Sequence, residues 1–292
     1  MLNYQYTTIK DGQGASFPFP WFSSDKTLDT AAVNNIKDMF NVRDEDIFIV
    51  AYPKSGTAWM RQIVHLLVSN AEQGEKTLAE SVPLLEKKVG MGQIKSLEKT
   101  KGQRCFMSHL PYSLMPGINK SRAKYIYMLR NPKDVAVSFY HFMSNREPIS
   151  YTGDWNAFFD LFVSGRVLYG LWFSHVTEWW KAAQKAENIL IVTYEDMHKD
   201  LDPVIARISA FLNIPASQEM LNSIAIQSTF TSMQTNSKTN WQSSDFPDKH
   251  LRKGKVGDWK NHFTPEQNVI FDAAYKQKMA DLDIQIDFEL KK

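Results

Sequence analysis

A chain of 292 residues with 34 Lys and Arg against 32 Asp and Glu is nearly neutral, at a net charge of +2. That excludes a surface built to coat nucleic acid, so a basic site here is a local pocket. Its 43% hydrophobic and 13% aromatic residues exclude a disordered polymer, and the length is enough to bury a large core. Cys105 is the one cysteine, so no intramolecular disulfide forms, which agrees with a reducing compartment. Residues 1–11 are polar and no apolar run reaches the length of a membrane span, which predicts a soluble, cytoplasmic protein with no membrane partner.

In chain order, short apolar runs predict strands at residues 47–51, 104–108, 125–129 and 189–193. Helical periodicity falls at 59–70, 133–143, 155–163, 172–186, 203–212, 218–227 and 266–281. Strands separated by helices predict an α/β fold, a central and mostly parallel sheet flanked by helices. No repeat or linker divides the chain, so residues 1–292 are expected to form a single domain. Residues 231–261 lack clear periodicity and are rich in Ser, Thr, Asn, Lys and Gly. A segment of that length in a compact domain is expected to serve as a cofactor or lid loop. Trp241, Phe246 and Trp259 favour its packing.

Three segments carry phosphate-type chemistry. The first, Tyr52-Pro53-Lys54-Ser55-Gly56-Thr57-Ala58-Trp59, lies between a predicted strand and helix. Backbone N–H groups and the helix dipole make such a turn an anion cradle. It is not the G-x-x-x-x-G-K-[ST] pattern, because Lys54 precedes Gly56. The second runs from Arg130-Asn131-Pro132 to Ser138. Asn131 suits an N-cap and Pro132 a first helical position, which sets Arg130 beside a helix N-terminus. Alone, such a run caps a helix as readily as it holds a phosphate. The third, Arg252-Lys253-Gly254 with Gly257-Asp258-Trp259-Lys260, sets basic side chains beside glycines that permit close backbone approach. In isolation it would be a solvated basic loop.

Together these segments resemble the cytosolic sulfotransferase family. Tyr52 to Thr57 is similar to its 5′-phosphosulfate loop, which is P-loop-like, and Arg130 to Ser138 to its 3′-phosphate motif. Arg252 to Lys260 is similar to its C-terminal cofactor signature. Tyr194-Glu195-Asp196-Met197 matches a further family segment, whose tyrosine helps to bind adenine. The resemblance runs from about Phe17 to the C-terminus.

It implies a sulfuryl donor, 3′-phosphoadenosine 5′-phosphosulfate (PAPS), with PAP as product and no metal. By the resemblance, Lys54 and the amides of Ser55, Gly56, Thr57 and Ala58 hold the 5′ end. Arg130, Ser138, Arg252, Lys253 and Gly254 hold the 3′-phosphate. Trp59, Tyr194 and Phe230 meet the adenine, and Ser228 matches an adenine-side position. His109, in Ser108-His109-Leu110-Pro111, is implied as general base, a role that an imidazole titrating near neutrality suits. Lys54 is implied to neutralise charge on the bridging oxygen. His141 matches a motif position and receives no role. His65, His175, His198, His250 and His262 do not fall at metal-ligand spacing.

This sequence departs from the family at several points. Met107 stands where many members have Lys, and Ala58 replaces a second Thr. Of the dimer motif Lys-x-x-x-Thr-Val-x-x-x-Glu, Lys260 and Thr264 remain, while Pro265 and Val269 replace Val and Glu. Monomer and homodimer both stay open. Phe17, Phe19, Trp21, Phe22, Val82, Leu84, Tyr140, Phe142, Tyr151, Trp155 and Tyr169 are candidates for an apolar acceptor pocket, and core packing is expected to claim at least half. Such a pocket suits an aromatic or apolar alcohol, a phenol, or an amine. Two other readings stand beside this one, a nucleotide kinase-like phosphotransferase and a non-catalytic binder of PAP-type nucleotides.

Overall fold

The computed structural model describes residues 7–10, 16–19, 35–144, 151–240 and 251–290. Trp21, Phe22, Trp241, Phe246 and His250 therefore lie outside the described residues. Strands β1 (Thr7–Lys10) and β2 (Ser16–Phe19) pair antiparallel. Phe17 and Phe19 fall in β2, of whose side chains nothing is described.

The central sheet holds β3 (Ile47–Ala51), β4 (Cys105–Ser108), β5 (Lys124–Leu129) and β6 (Ile189–Thr193). Their order is β4-β3-β5-β6 and every pairing is parallel. Parallel strands are covered on both faces, so each alternates its side chains between two cores. Phe48, Val50, Phe106, Tyr125 and Tyr127 enter one core; Ile47, Ile49, Met107, Ile126 and Met128 enter the other.

The first core is covered by α6 (Pro132–Ser144), α7 (Trp155–Val163), α8 (Trp172–Ala183) and α13 (Pro265–Met279), through Val135, Phe139, Phe158, Trp172, Trp179 and Phe271. The second is covered by α2 (Thr57–Val68), α10 (Leu201–Leu212) and α11 (Gln218–Gln227), through Met60, Ile63, Ile205, Ile208 and Ile224. Short helices absent from the sequence expectation complete the described chain: α1 (Ile36–Met39), α3 (Leu78–Ser81), α4 (Leu85–Gly90), α5 (Ile94–Glu98), α9 (Tyr194–Lys199) and α12 (Phe230–Thr235). They have one or two turns, too few for a period to show.

The chain leaves β3 for β4 on one side and then returns to β5 on the other. The carboxyl ends of β3 and β5 thus flank a switch point, where α/β sheets open a ligand crevice. The expected irregular stretch begins as α12, and residues 258–261 form a 3₁₀ turn.

Candidate active site

A cavity of about 880 Å³ opens at that switch point. The turn after β3 enters it first. Lys54 sits at φ 70° and Gly56 at φ 99°, both in the left-handed region. At Gly56 the space is also closed to a side chain, since a Cβ would stand 2.6 Å from the Tyr194 ring. Gly56 is the N-cap of α2 and supplies no side-chain cap. The Trp59 N–H donates to the Gly56 carbonyl at 3.0 Å, while the Thr57 and Ala58 N–H groups remain for a ligand in the cavity, which Gly56, Thr57 and Ala58 line,.

Arg130 ties the two phosphate-type turns together. Its Nη1 donates to the Lys54 carbonyl at 2.9 Å and its Nη2 to the Lys255 carbonyl at 3.2 Å. The guanidinium lies over the Tyr194 ring, 4.2 Å from the centroid, and Nε is buried with no partner among the described residues. Asn131 Oδ1 accepts the Lys133 N–H at 2.9 Å, the capping bond that turns β5 into α6,. Ser138 of α6 reaches the same cavity.

The third segment arrives through Asp134, a buried carboxylate of α6. It accepts the Gly257 N–H at 2.7 Å and the Trp259 N–H at 2.9 Å. Burial pushes its pKa up, while Arg130 and these two bonds pull the other way. Arg252 and Lys253 line the cavity but are not open cations: Asp258 holds Arg252 Nη2 at 2.9 Å and Lys253 Nζ at 2.7 Å. Burial opposes ionisation of Asp258, and the bonds from Lys253, Arg252 and Asn261 win, holding its carboxyl well below the usual range. Gly254, at φ 61°, leaves no room for a side chain, because a Cβ would meet Phe230 at 2.2 Å.

His109 follows β4 and is held on every side. Its Nδ1 lies 2.7 Å from the Ala51 carbonyl, which only accepts, so Nδ1 carries the proton and the neutral ring keeps its lone pair on Nε2,. Its N–H donates to Glu86 Oε1 at 2.8 Å, and Tyr169 OH donates to the same oxygen at 3.3 Å. Its carbonyl accepts from His175 Nε2 at 3.1 Å, and Tyr127 OH donates to His175 Nδ1 at 2.9 Å. Burial lifts Glu86 to about 7 against the hydrogen bonds it accepts. Burial likewise drives His175 down to about 3, so it stays neutral. Lys54 Nζ stands 4.2 Å above the Phe142 ring.

Of the residues the sequence singled out, Lys54, Gly56, Thr57, Ala58, Trp59, His109, Arg130, Ser138, Tyr194, Ser228, Phe230, Arg252, Lys253 and Gly254 all line this one cavity. Ser55 does not: its side chain is buried, with Oγ unpartnered among the described residues, and its N–H donates to the Tyr52 carbonyl at 3.3 Å. Among the acceptor candidates Leu84, Phe142 and Tyr169 line the cavity. Val82, Tyr140, Tyr151 and Trp155 pack into the cores instead. Among the described residues, no three His, Cys, Asp or Glu side chains are grouped to hold a metal.

The sequence reading gave no role to His141 and His198, both cavity residues, and did not single out Glu86 behind His109. His198 had a signal, standing four residues after Tyr194 and so on the same helix face. Glu86 had none, since α4 is too short to show which face it buries.

Comparison with known proteins fits this arrangement. The sequence model of the sulfotransferase domain matches residues 44–283. The chain belongs to the sulfotransferase family. It is a PAPS-dependent sulfotransferase. Sulfotransferase 2A1 of Homo sapiens is 39% identical over 279 residues, covering 92% of this chain and 94% of that protein. The amine sulfotransferase of Oryctolagus cuniculus is 36% identical, covering 91% of each. The crystal structure of mouse sulfotransferase SULT7A1 complexed with PAP superposes with a TM-score of 0.77 at 31% identity, over 94% of this chain and 95% of that one. No helix among the described residues is long and apolar enough to cross a membrane.

Proposed function

We propose that this sulfotransferase moves a sulfuryl group from PAPS to a hydroxyl or amine of a small aromatic or apolar acceptor. His109 serves as general base and Lys54 stabilises the leaving side. The observation that carries the reading is that both side chains enter one cavity, with His109 fixed so that Nε2 is its basic nitrogen. The fit to the nucleotide rests on cavity residues whose buried polar atoms have no partner among the described residues, Arg130 Nε, Trp59 Nε1 and Ser228 Oγ, and on two glycine positions a Cβ would block.

PAPS supplies an activated sulfur, whose bond to the 5′-phosphate oxygen breaks as the bond to the acceptor forms. His109 Nε2 takes the acceptor proton, and Lys54 with the α2 amides meets the charge developing on the bridging oxygen. Arg130, Ser138, Arg252, Lys253 and the Gly254 amide hold the 3′-phosphate, Arg252 and Lys253 after exchanging their contacts with Asp258,. Trp59, Tyr194 and Phe230 hold the adenine. Leu84, Phe142 and Tyr169 face the acceptor. The names of relatives support both hydroxyl and amine acceptors, since one is an amine sulfotransferase and another, from Cavia porcellus, a 3-alpha-hydroxysteroid sulfotransferase at 36% identity. We further take residues 1–292 as one domain working in the cytoplasm as a monomer or homodimer.

Labelled PAPS offered with a panel of phenols, steroids and amines should give products heavier by one sulfuryl group. His109→Ala should then cost about 10²–10⁴-fold in rate, with PAP affinity nearly intact. The loss should shrink as the phenol becomes more acidic. A uniform loss across the acidity series, or an equal loss of PAP affinity, would assign His109 to structure alone.

A further inference from the structure

The reading above leaves cavity histidines without a role, and one of them carries a further inference. His198, on α9, lines the cavity with Trp59 and Tyr194. Its ring packs edge-on against both, at 4.9 Å from the Trp59 centroid and 4.7 Å from that of Tyr194. The three rings form one wall. Nε2 of His198 is buried and has no partner among the described residues. A buried ring nitrogen without a hydrogen bond is costly, and a folded site keeps one where a ligand completes it.

We propose that His198 Nε2 accepts a hydrogen bond from the exocyclic amino group of the adenine, so that this histidine discriminates the base of the donor. The proposal rests on the reading that the adenine lies against Trp59, Tyr194 and Phe230. The choice of acceptor follows from the cavity groups that have no partner among the described residues. Trp59 Nε1 only donates, and Ser228 Oγ does either,. Adenine offers ring nitrogens that accept and one amino group that donates. The donors on the wall suit the ring nitrogens, and the amino group needs an acceptor, which a neutral imidazole supplies. His198 is neutral at working pH, as burial and then the Arg130 charge lower it to about 4.

The test compares three ligands by titration: PAP, the 3′,5′-bisphosphate of purine riboside, which lacks only the amino group, and base-free ribose 3′,5′-bisphosphate. The unmodified enzyme should prefer PAP over the purine ligand by about five- to tenfold, the size of one buried hydrogen bond. His198→Phe keeps an aromatic ring and should bring PAP down to the level of the purine ligand, whose own affinity stays within about twofold. His198→Gln, which restores an acceptor, should recover part of the preference. Equal weakening of PAP and purine ligand in His198→Phe would overturn the assignment, and so would a preference left intact.

The underlying placement of adenine is read separately. Tyr194→Leu should reduce the advantage of PAP over the base-free ligand, a ratio that cancels any effect on Arg130 and the phosphates. If that ratio is unchanged, the placement of adenine fails and the role of His198 fails with it. If the ratio falls while the His198 variants leave the amino preference untouched, the assignment of His198 alone is wrong.

Discussion

Lys54 holds a left-handed backbone at φ 70°, a conformation that costs about 1 kcal/mol or more in a residue with a side chain. The Arg130 bond to its carbonyl compensates, and the turn so held sets Lys54 Nζ over the Phe142 ring. Lys54→Ala should lower kcat strongly, because its charge is most needed as the bridging oxygen becomes anionic. Single-turnover rates check this, and an unchanged rate in a folded variant would remove Lys54 from the chemistry. At Gly254 a methyl has nowhere to go. Gly254→Ala should push Phe230 aside and weaken PAP binding about tenfold or more, a shift of about 1.4 kcal/mol; titration with PAP reads it. Glu86 gives a pH prediction. Its folded pKa is about 7 against an ordinary 4.5, so the folded state holds the proton more tightly. The stability this contributes is full below pH 4.5 and lost as pH rises through 7. Glu86→Gln stands in for the protonated group. The Tm of the variant relative to wild type should therefore rise from pH 5 to pH 8, and a flat difference would contradict the buried charge.

Among the elements, the proposed 3′-phosphate site is a joint between α6 and the segment from Arg252 to the 3₁₀ turn at Asp258–Asn261. Asp134 is its pin, with two N–H groups on one carboxylate. Asp134→Ala should cost about 2–3 kcal/mol of stability, since hydrogen bonds to a charged group are among the stronger ones. It should also weaken PAP more than it weakens the analogue lacking the 3′-phosphate. Thermal unfolding and paired titrations separate the two effects. The sheet and the long helices were legible in the sequence because their apolar periods run for many residues: Trp155–Val163 and Gln218–Gln227 match their predicted bounds. The turns after β3 and β5 were legible because Pro, Gly and Asn punctuate them. What could not be read is what tertiary contact alone decides. Ser55 turns inward although its neighbours line the cavity. Asp258 reaches back to two basic residues that look exposed in the sequence. Tyr140 and Trp155 join the core although their spacing equally suited a pocket wall.

For the molecule as a whole, the cavity proposed for the nucleotide draws its lining from widely separated parts of the chain, from Lys54 to Lys255. A ligand that bridges them should stabilise the entire fold by mass action, by about 2.7 kcal/mol at a hundredfold excess over Kd. Arg130→Ala or Arg252→Ala should cut the thermal shift given by PAP and leave that of the analogue without the 3′-phosphate nearly unchanged. Equal cuts for both ligands would contradict the assignment. The carboxylate of Asp258 adds a consequence for the end of the catalytic cycle. When the spent nucleotide departs, Arg252 and Lys253 are not stranded as bare cations, because Asp258 stands within ion-pairing distance of both. On the proposed site the exit of product is then an exchange of one counter-ion for another, and product exit often sets the pace of turnover. Asp258→Asn should hold PAP longer, slow the steady state and leave the first turnover fast. In stopped-flow measurements this would appear as a burst followed by a lag-free slow phase, and an accelerated loss of PAP would refute the exchange.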